Sequence, residues 1–146
     1  MTVFADSSAL VTRYATEVDV VELGAPGEVV VSVLARVEVP SAIWRKQRMG
    51  ELSAEDAAIL VAAFEADYHG AGEGSPGFVA VAVQPVILER AARLVAVHGL
   101  RLCDAVQLAS ALAVTEVVPE CTGFAVLDRR LRAAAALEGL TPLPLG

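Results

Sequence analysis

Short apolar runs alternate along this chain with longer stretches whose apolar residues recur every three or four positions, the pattern of strands followed by helices. Such alternation predicts an α/β fold in which βαβ units build a mostly parallel sheet. Val3 to Ala5 reads as a first strand and Ser7 to Ala15 as the helix after it. A second short helix is expected to end at Glu22 or Leu23, before Gly24 and the turn Ala25-Pro26-Gly27. Glu28 to Val31 makes the second strand, and Ser32 reads as the cap of a helix over Val33 to Met49, kinked at Pro40 and stopped by Gly50.

Ser53-Ala54-Glu55-Asp56 has the form of a helix start, with Ser53 as N-cap and acids in the first turn, so a helix is expected from Ser53 to about Tyr68. Its inner face would carry Ala57, Leu60, Val61 and Phe64. Gly70 to Gly77 is dense in glycine and reads as a mobile surface loop. Phe78 to Val83 is a candidate strand, Pro85 to His98 a helix begun by proline and ended at Gly99, and Asp104 to Thr115 another helix. Phe124 to Leu127 then reads as a strand, Asp128 to Leu137 as a helix stopped by Gly139, and Thr141 to Leu143 as a final edge strand.

A chain of 146 residues suits one domain with a genuine core. Its hydrophobic fraction of 55% raises the question of a membrane. The uncharged stretch Gly74 to Leu88 is broken by Gly77, Gln84 and Pro85, whereas a spanning helix needs roughly 18 apolar residues, so a soluble protein is expected. The start, Met1-Thr2-Val3-Phe4-Ala5-Asp6, has no basic segment before its apolar residues, which argues against a signal peptide and for the cytoplasm. Cys103 and Cys121 stand far apart and read as buried free thiols, and His69 and His98 as surface residues.

Four acids change this picture. Asp6 and Asp128 each follow a predicted strand, and in open α/β sheets sites form beyond the carboxyl ends of the strands. Asp104, taken alone, fits an N-cap, with Gln107 as its reciprocal partner. Glu38 is harder to explain locally, because its helical neighbours Leu34, Ala35, Ser41 and Ala42 form a small, mostly apolar surface. A carboxylate on a face meant for burial needs a cation, either an arginine or a metal. If the four converge, any two 5 Å apart at an effective dielectric of about 20 repel by roughly 3 kcal/mol. Hard oxygen donors without His or Cys favour Mg²⁺ or Mn²⁺, which could activate a water against a phosphodiester.

The net charge of -7 counts against a long nucleic-acid surface, less so against a short segment held through metal ions. Lys46 is the only lysine; Arg129, Arg130 and Arg132 follow closely on Asp128, and Arg45 lies near the helix face of Glu38. Arg45 and Arg129 are the candidate phosphate contacts, Arg130 and Arg132 reading equally well as a solvated helix face.

Asp6-Ser7-Ser8-Ala9-Leu10, Arg36-Val37-Glu38-Val39-Pro40, Leu102-Cys103-Asp104-Ala105-Val106-Gln107-Leu108-Ala109 and Phe124-Ala125-Val126-Leu127-Asp128-Arg129-Arg130-Leu131 together resemble the motifs of PIN-domain ribonucleases. In order, spacing and length they are most similar to the VapC-type toxins of bacterial toxin–antitoxin pairs. The resemblance spans essentially the whole chain and implies a three-layer α/β sandwich with a central, mostly parallel sheet of four to five strands. It further implies Mg²⁺- or Mn²⁺-dependent endoribonuclease activity, with Asp6, Glu38, Asp104 and Asp128 as metal-coordinating acids and Ser8 supporting the site. A homodimer and a cognate antitoxin covering the acidic pocket would follow from the same likeness. One departure is Val126, where the family often places a hydroxyl two residues before the last acid.

Two other readings compete. A phosphoaspartyl hydrolase or receiver domain also places an Asp after its first strand, but here Ser8 occupies the second motif position and no lysine lies late in the chain. A binding module that keeps the fold without turnover is the remaining alternative.

Overall fold

The computed structural model describes residues 2–15 and 21–145. Five parallel strands form one sheet in the order β5-β2-β1-β6-β7, where β1 is Val3–Ala5, β2 Val29–Ser32, β5 Val79–Val81, β6 Gly123–Ala125 and β7 Thr141–Leu143. Side chains alternate across this sheet because a strand turns successive Cβ atoms to opposite faces. Phe4, Val30, Phe124 and Val126 enter one core with Ile87, Leu94, Leu108 and Leu131. Val3, Ala5, Val29, Val31 and Ala125 enter the other with Leu10, Val39, Ile43 and Phe64.

The helices sort accordingly into two layers. α1 (Ser7–Val11), α2 (Ala35–Arg48) and α3 (Ala54–His69) supply the second core; α4 (Pro85–His98), α5 (Leu102–Val117) and α6 (Arg129–Leu137) supply the first. The fold is therefore a three-layer α/β sandwich. From β1 the chain moves outward through β2 to β5, then returns to the other side of β1 for β6 and β7. The reversal point lies between β1 and β6, the place where such sheets open a crevice at their carboxyl ends.

Local signals account for many boundaries. The Ser53 side chain accepts from the amide of Asp56 at 3.0 Å and starts α3. Pro85 opens α4, and Gly99 closes it with φ 65°, a left-handed conformation that a side chain would strain. α2 runs on through Pro40 and buries Ala35, Val39 and Ile43 along one stripe.

Several expectations are corrected. α1 ends at Val11 and residues 12–14 form a turn, residues 21–24 are not helical, and the remainder of the expected second helix lies outside the described residues. The second strand begins one residue later than expected because Pro26–Glu28 forms a 3-10 turn. Ser32 ends β2; its hydroxyl accepts from the Leu34 amide at 3.2 Å, one step before the helix it was expected to cap. Residues expected to form a loop make a small antiparallel hairpin, β3 (Gly70–Gly72) with β4 (Ser75–Pro76). Gly77 closes it so tightly that an added Cβ would fall 2.3 Å from the Tyr68 carbonyl oxygen.

Cys121 is buried but Cys103 is exposed, and both are free. His98 is largely covered, with 9% of its side chain accessible, and sits 2.7 Å from Glu138 rather than in solvent. No single helix among the described residues is long and apolar enough to cross a membrane; α4 and α5 together have the length but meet at 117°.

Phe64 is fully buried against Tyr14, Tyr68 and Phe78. Phe64→Ala should cost about 3–5 kcal/mol in urea unfolding, as other large-to-small core changes do. Leu137→Ala, at a position 78% exposed, should stay within about 0.5 kcal/mol of the parent.

Candidate active site

Asp6 follows β1 and becomes the N-cap of α1, accepting from the Ser8 amide at 3.3 Å and from the Ser8 hydroxyl. The cap position explains why it stays near the sheet end: its backbone amide is still bonded to Ala125 of β6 at 2.9 Å. It is only 4% exposed. Glu38, near the start of α2, projects toward the same end, and its Oε1 accepts from the Ser7 hydroxyl at 2.9 Å and from Gln107 Nε2 at 2.8 Å. Asp104 approaches from α5, with Arg101 Nε 3.4 Å from its Oδ2.

These three carboxyl groups come together. Burial pushes Asp6 up to about 6, the Ser8 hydrogen bonds oppose that rise, and the negative fields of Asp104 and Glu38 add to it. Glu38 and Asp104 border a cavity of about 450 Å³ with Ser7, Ser8, Arg45, Arg101 and Cys103. The Cys103 thiol faces Glu38, and the partial covering of its sulfur together with that carboxylate raises its pKa.

Asp128 stands beside Asp104 rather than in the cavity that Glu38 borders. Both border an adjoining cavity of about 430 Å³ with Arg101, Arg129 and Arg130. Its carboxylate accepts from the Leu131 amide at 2.9 Å as the N-cap of α6. No group of three or more His, Cys, Asp or Glu side chains among the described residues is arranged to hold a metal ion. Each carboxylate is engaged by a protein donor: Ser8 at Asp6, Ser7 and Gln107 at Glu38, Arg101 at Asp104, and the α6 terminus at Asp128. The donors themselves are all hard oxygens suited to Mg²⁺ or Mn²⁺, and three of them crowd at one sheet end, so the chemistry of the donor set fits a divalent cation.

Two points depart from the sequence reading, and a third narrows it. Asp104 is the third residue of α5 and not its cap; Arg101 takes the cap position without a side-chain bond. Gln107 does not turn back to Asp104 but crosses to α1 and α2. Glu38 has no ion pair among the described residues, since the nearby Arg36 pairs with Glu65. Arg101 and Gln107 were both missed: their roles depend on which helices meet, and only a polar residue on the apolar face of a helix hinted at Gln107.

The other arginines near and away from the site differ in what they bind. Arg13, Arg36, Arg90 and Arg93 pair with acids away from the site. Arg132 binds the carbonyls of Val126 and Leu143 at 2.7 and 3.1 Å and so ties β6 to β7, while Arg130 reaches the Gly99 carbonyl at 3.2 Å. Arg45 and Arg129 form no ion pair with a described residue and border the two cavities.

No family model matches the chain, and neither does any curated protein. Among solved structures it is similar to the crystal structure of PAE2754 from Pyrobaculum aerophilum, at 17% identity and a TM-score of 0.54, over 97% of this chain and 90% of that one. At that identity the likeness establishes the fold.

A folded-state pKa near 6 against the ordinary 3.8 means that the native protein binds the extra proton between those values. Stability contributed by protonated Asp6 is therefore lost as pH rises through this window, by about 3 kcal/mol in full. Asp6→Asn keeps a capping side chain and should abolish that loss. Urea unfolding of both proteins from pH 4 to pH 7 should show the wild type falling relative to the variant; parallel curves would disprove the burial argument.

Proposed function

We propose that this protein is a metal-dependent endoribonuclease of the PIN-domain type, acting as the toxin of a toxin–antitoxin pair. The observation that carries this reading is the gathering of Asp6, Glu38 and Asp104 at the carboxyl end of a parallel sheet, where their mutual repulsion opposes folding unless a proton or cation intervenes. The four motifs in their order along the chain support the same class.

In this reading Asp6, Glu38 and Asp104 would hold Mg²⁺ or Mn²⁺, with Asp128 joining from the neighbouring cavity. A bound divalent ion supplies a water of lowered pKa and neutralises charge growing on the leaving oxygen. Ser8 holds the Asp6 carboxylate in place. Arg45 and Arg129, standing on either side of the acids, would take backbone phosphates and set the strand across the site. A protein of net charge -7 then draws RNA only locally, which suits a short substrate segment. A cytoplasmic location, a homodimer and an antitoxin segment covering the acidic cavity belong to the same proposal.

A second reading, a binding module without turnover, is favoured by one observation: each carboxylate is already engaged by a protein donor and no ready metal group stands among the described residues. The two readings separate on cation binding. If the nuclease reading holds, Mn²⁺ raises the unfolding midpoint of the wild type, at a hundredfold excess over Kd by about 3 kcal/mol in stability, and Glu38→Gln reduces that gain. EDTA or Asp6→Asn then abolishes RNA cleavage. Absence of any Mn²⁺ effect would leave the binding module.

Arg45→Ala and Arg129→Ala should each weaken single-stranded RNA binding and flatten its salt dependence by about 0.7 in the log–log slope, measured by fluorescence anisotropy between 50 and 200 mM salt. An unchanged slope removes that arginine from the interface.

A further inference from the structure

Gln107 is 1% exposed, on a stretch of α5 that otherwise buries Ala105, Val106, Leu108 and Ala109. Its Nε2 donates to Glu38 Oε1 at 2.8 Å and to Ser7 Oγ at 2.9 Å, and Ser7 Oγ donates to the same Glu38 oxygen at 2.9 Å. Three helices, α1, α2 and α5, thus meet in one closed ring of hydrogen bonds.

The carboxylate fixes which way the amide points, since the reverse orientation would set the amide oxygen against a negative oxygen. That orientation leaves Gln107 Oε1 buried without a partner. An unpaired buried acceptor opposes folding, and methionine of similar size would fill the space without it, so packing does not account for glutamine here. What glutamine provides is a fixed donor to one oxygen of Glu38. Both neutral donors converge on Oε1, which leaves Oε2 outside the ring.

We propose that Gln107 is a positioning residue: with Ser7 it holds Glu38 by Oε1, so that Oε2 is the oxygen available to a hard divalent cation at the cavity shared with Asp104. Groups that orient a metal ligand in this way, though they never touch the ion, commonly alter affinity by 10–100-fold. The inference rests on Glu38 being a cation ligand, as the proposed function has it.

Isothermal titration of the full chain with MnCl₂ tests it. Gln107→Met should weaken Mn²⁺ binding by about 10–100-fold, and Ser7→Ala should act in the same direction. In a Glu38→Gln background, Gln107→Met should produce no further loss, because the side chain it positions is no longer a carboxylate. Unfolding curves establish that each variant is folded; if Gln107→Met is not, Ser7→Ala and its own combination with Glu38→Gln decide. Wild-type affinity in the single variants, or an equal loss with and without the Glu38 carboxylate, overturns the positioning role and leaves the nuclease reading intact. No Mn²⁺ binding by the wild type overturns both.

Discussion

A buried carboxyl group with two others beside it is the constraint to which the rest of this molecule answers. Asp6 cannot move away from Glu38 and Asp104, because it caps α1 while its backbone amide remains bonded to β6. The repulsion is therefore built into the sheet, and the protein meets it at each carboxylate with separate donors: a hydroxyl and a backbone amide at Asp6, a side-chain amide and a hydroxyl at Glu38, a guanidinium at Asp104. None of these removes the negative charge from Asp6. Burial and charge together lift its pKa instead, and the same pressure makes the site receptive to a cation.

Topology decides which acids meet. Because the chain reverses between β1 and β6, the residues that follow these two strands lie at adjacent strand ends, while α2 and α5 arrive from opposite layers. Gln107 spans that divide by reaching from α5 to residues of α1 and α2. The two cavities share Arg101 and Asp104 as a common wall, with Arg45 on one side and Arg129 on the other. A chain that is acidic overall thus sets Arg45, Arg101 and Arg129 around these acids, while Arg13, Arg36, Arg90 and Arg93 pair with acids elsewhere.

What could be read from the sequence was whatever depends on near neighbours. Pro85 and Gly99 bound α4 to the residue, since one fixes φ at a helix start and the other adopts a conformation that stops it. Ser53 worked for the same reason. α5 was missed at its start because Arg101 offers no side-chain cap and Asp104 resembles one. The hairpin at residues 70–76 escaped because glycines announce a turn without saying whether its arms pair. In the site, a strand end gave the position of Asp6, whereas β6 stops at Ala125 and Asp128 stands further on as the cap of α6; the bonding of Gln107 and Arg101 follows from helix packing, which no local window contains. Glu38 has no ion pair among the described residues, and the neutral donors that hold it come from two other helices, which local sequence does not reveal.

One detail of β7 bears on whether the sheet can be extended at its outer edge. Thr141 donates to Thr122 and Val126 donates to Leu143, so the first and last residues of this strand face inward and Pro142 faces the open edge. In parallel pairing each residue turns its amide and carbonyl to the same side. An incoming strand would therefore find, at the middle of a three-residue border, a ring where it needs a proton to accept. On that flank the missing hydrogen makes a further strand costlier to add.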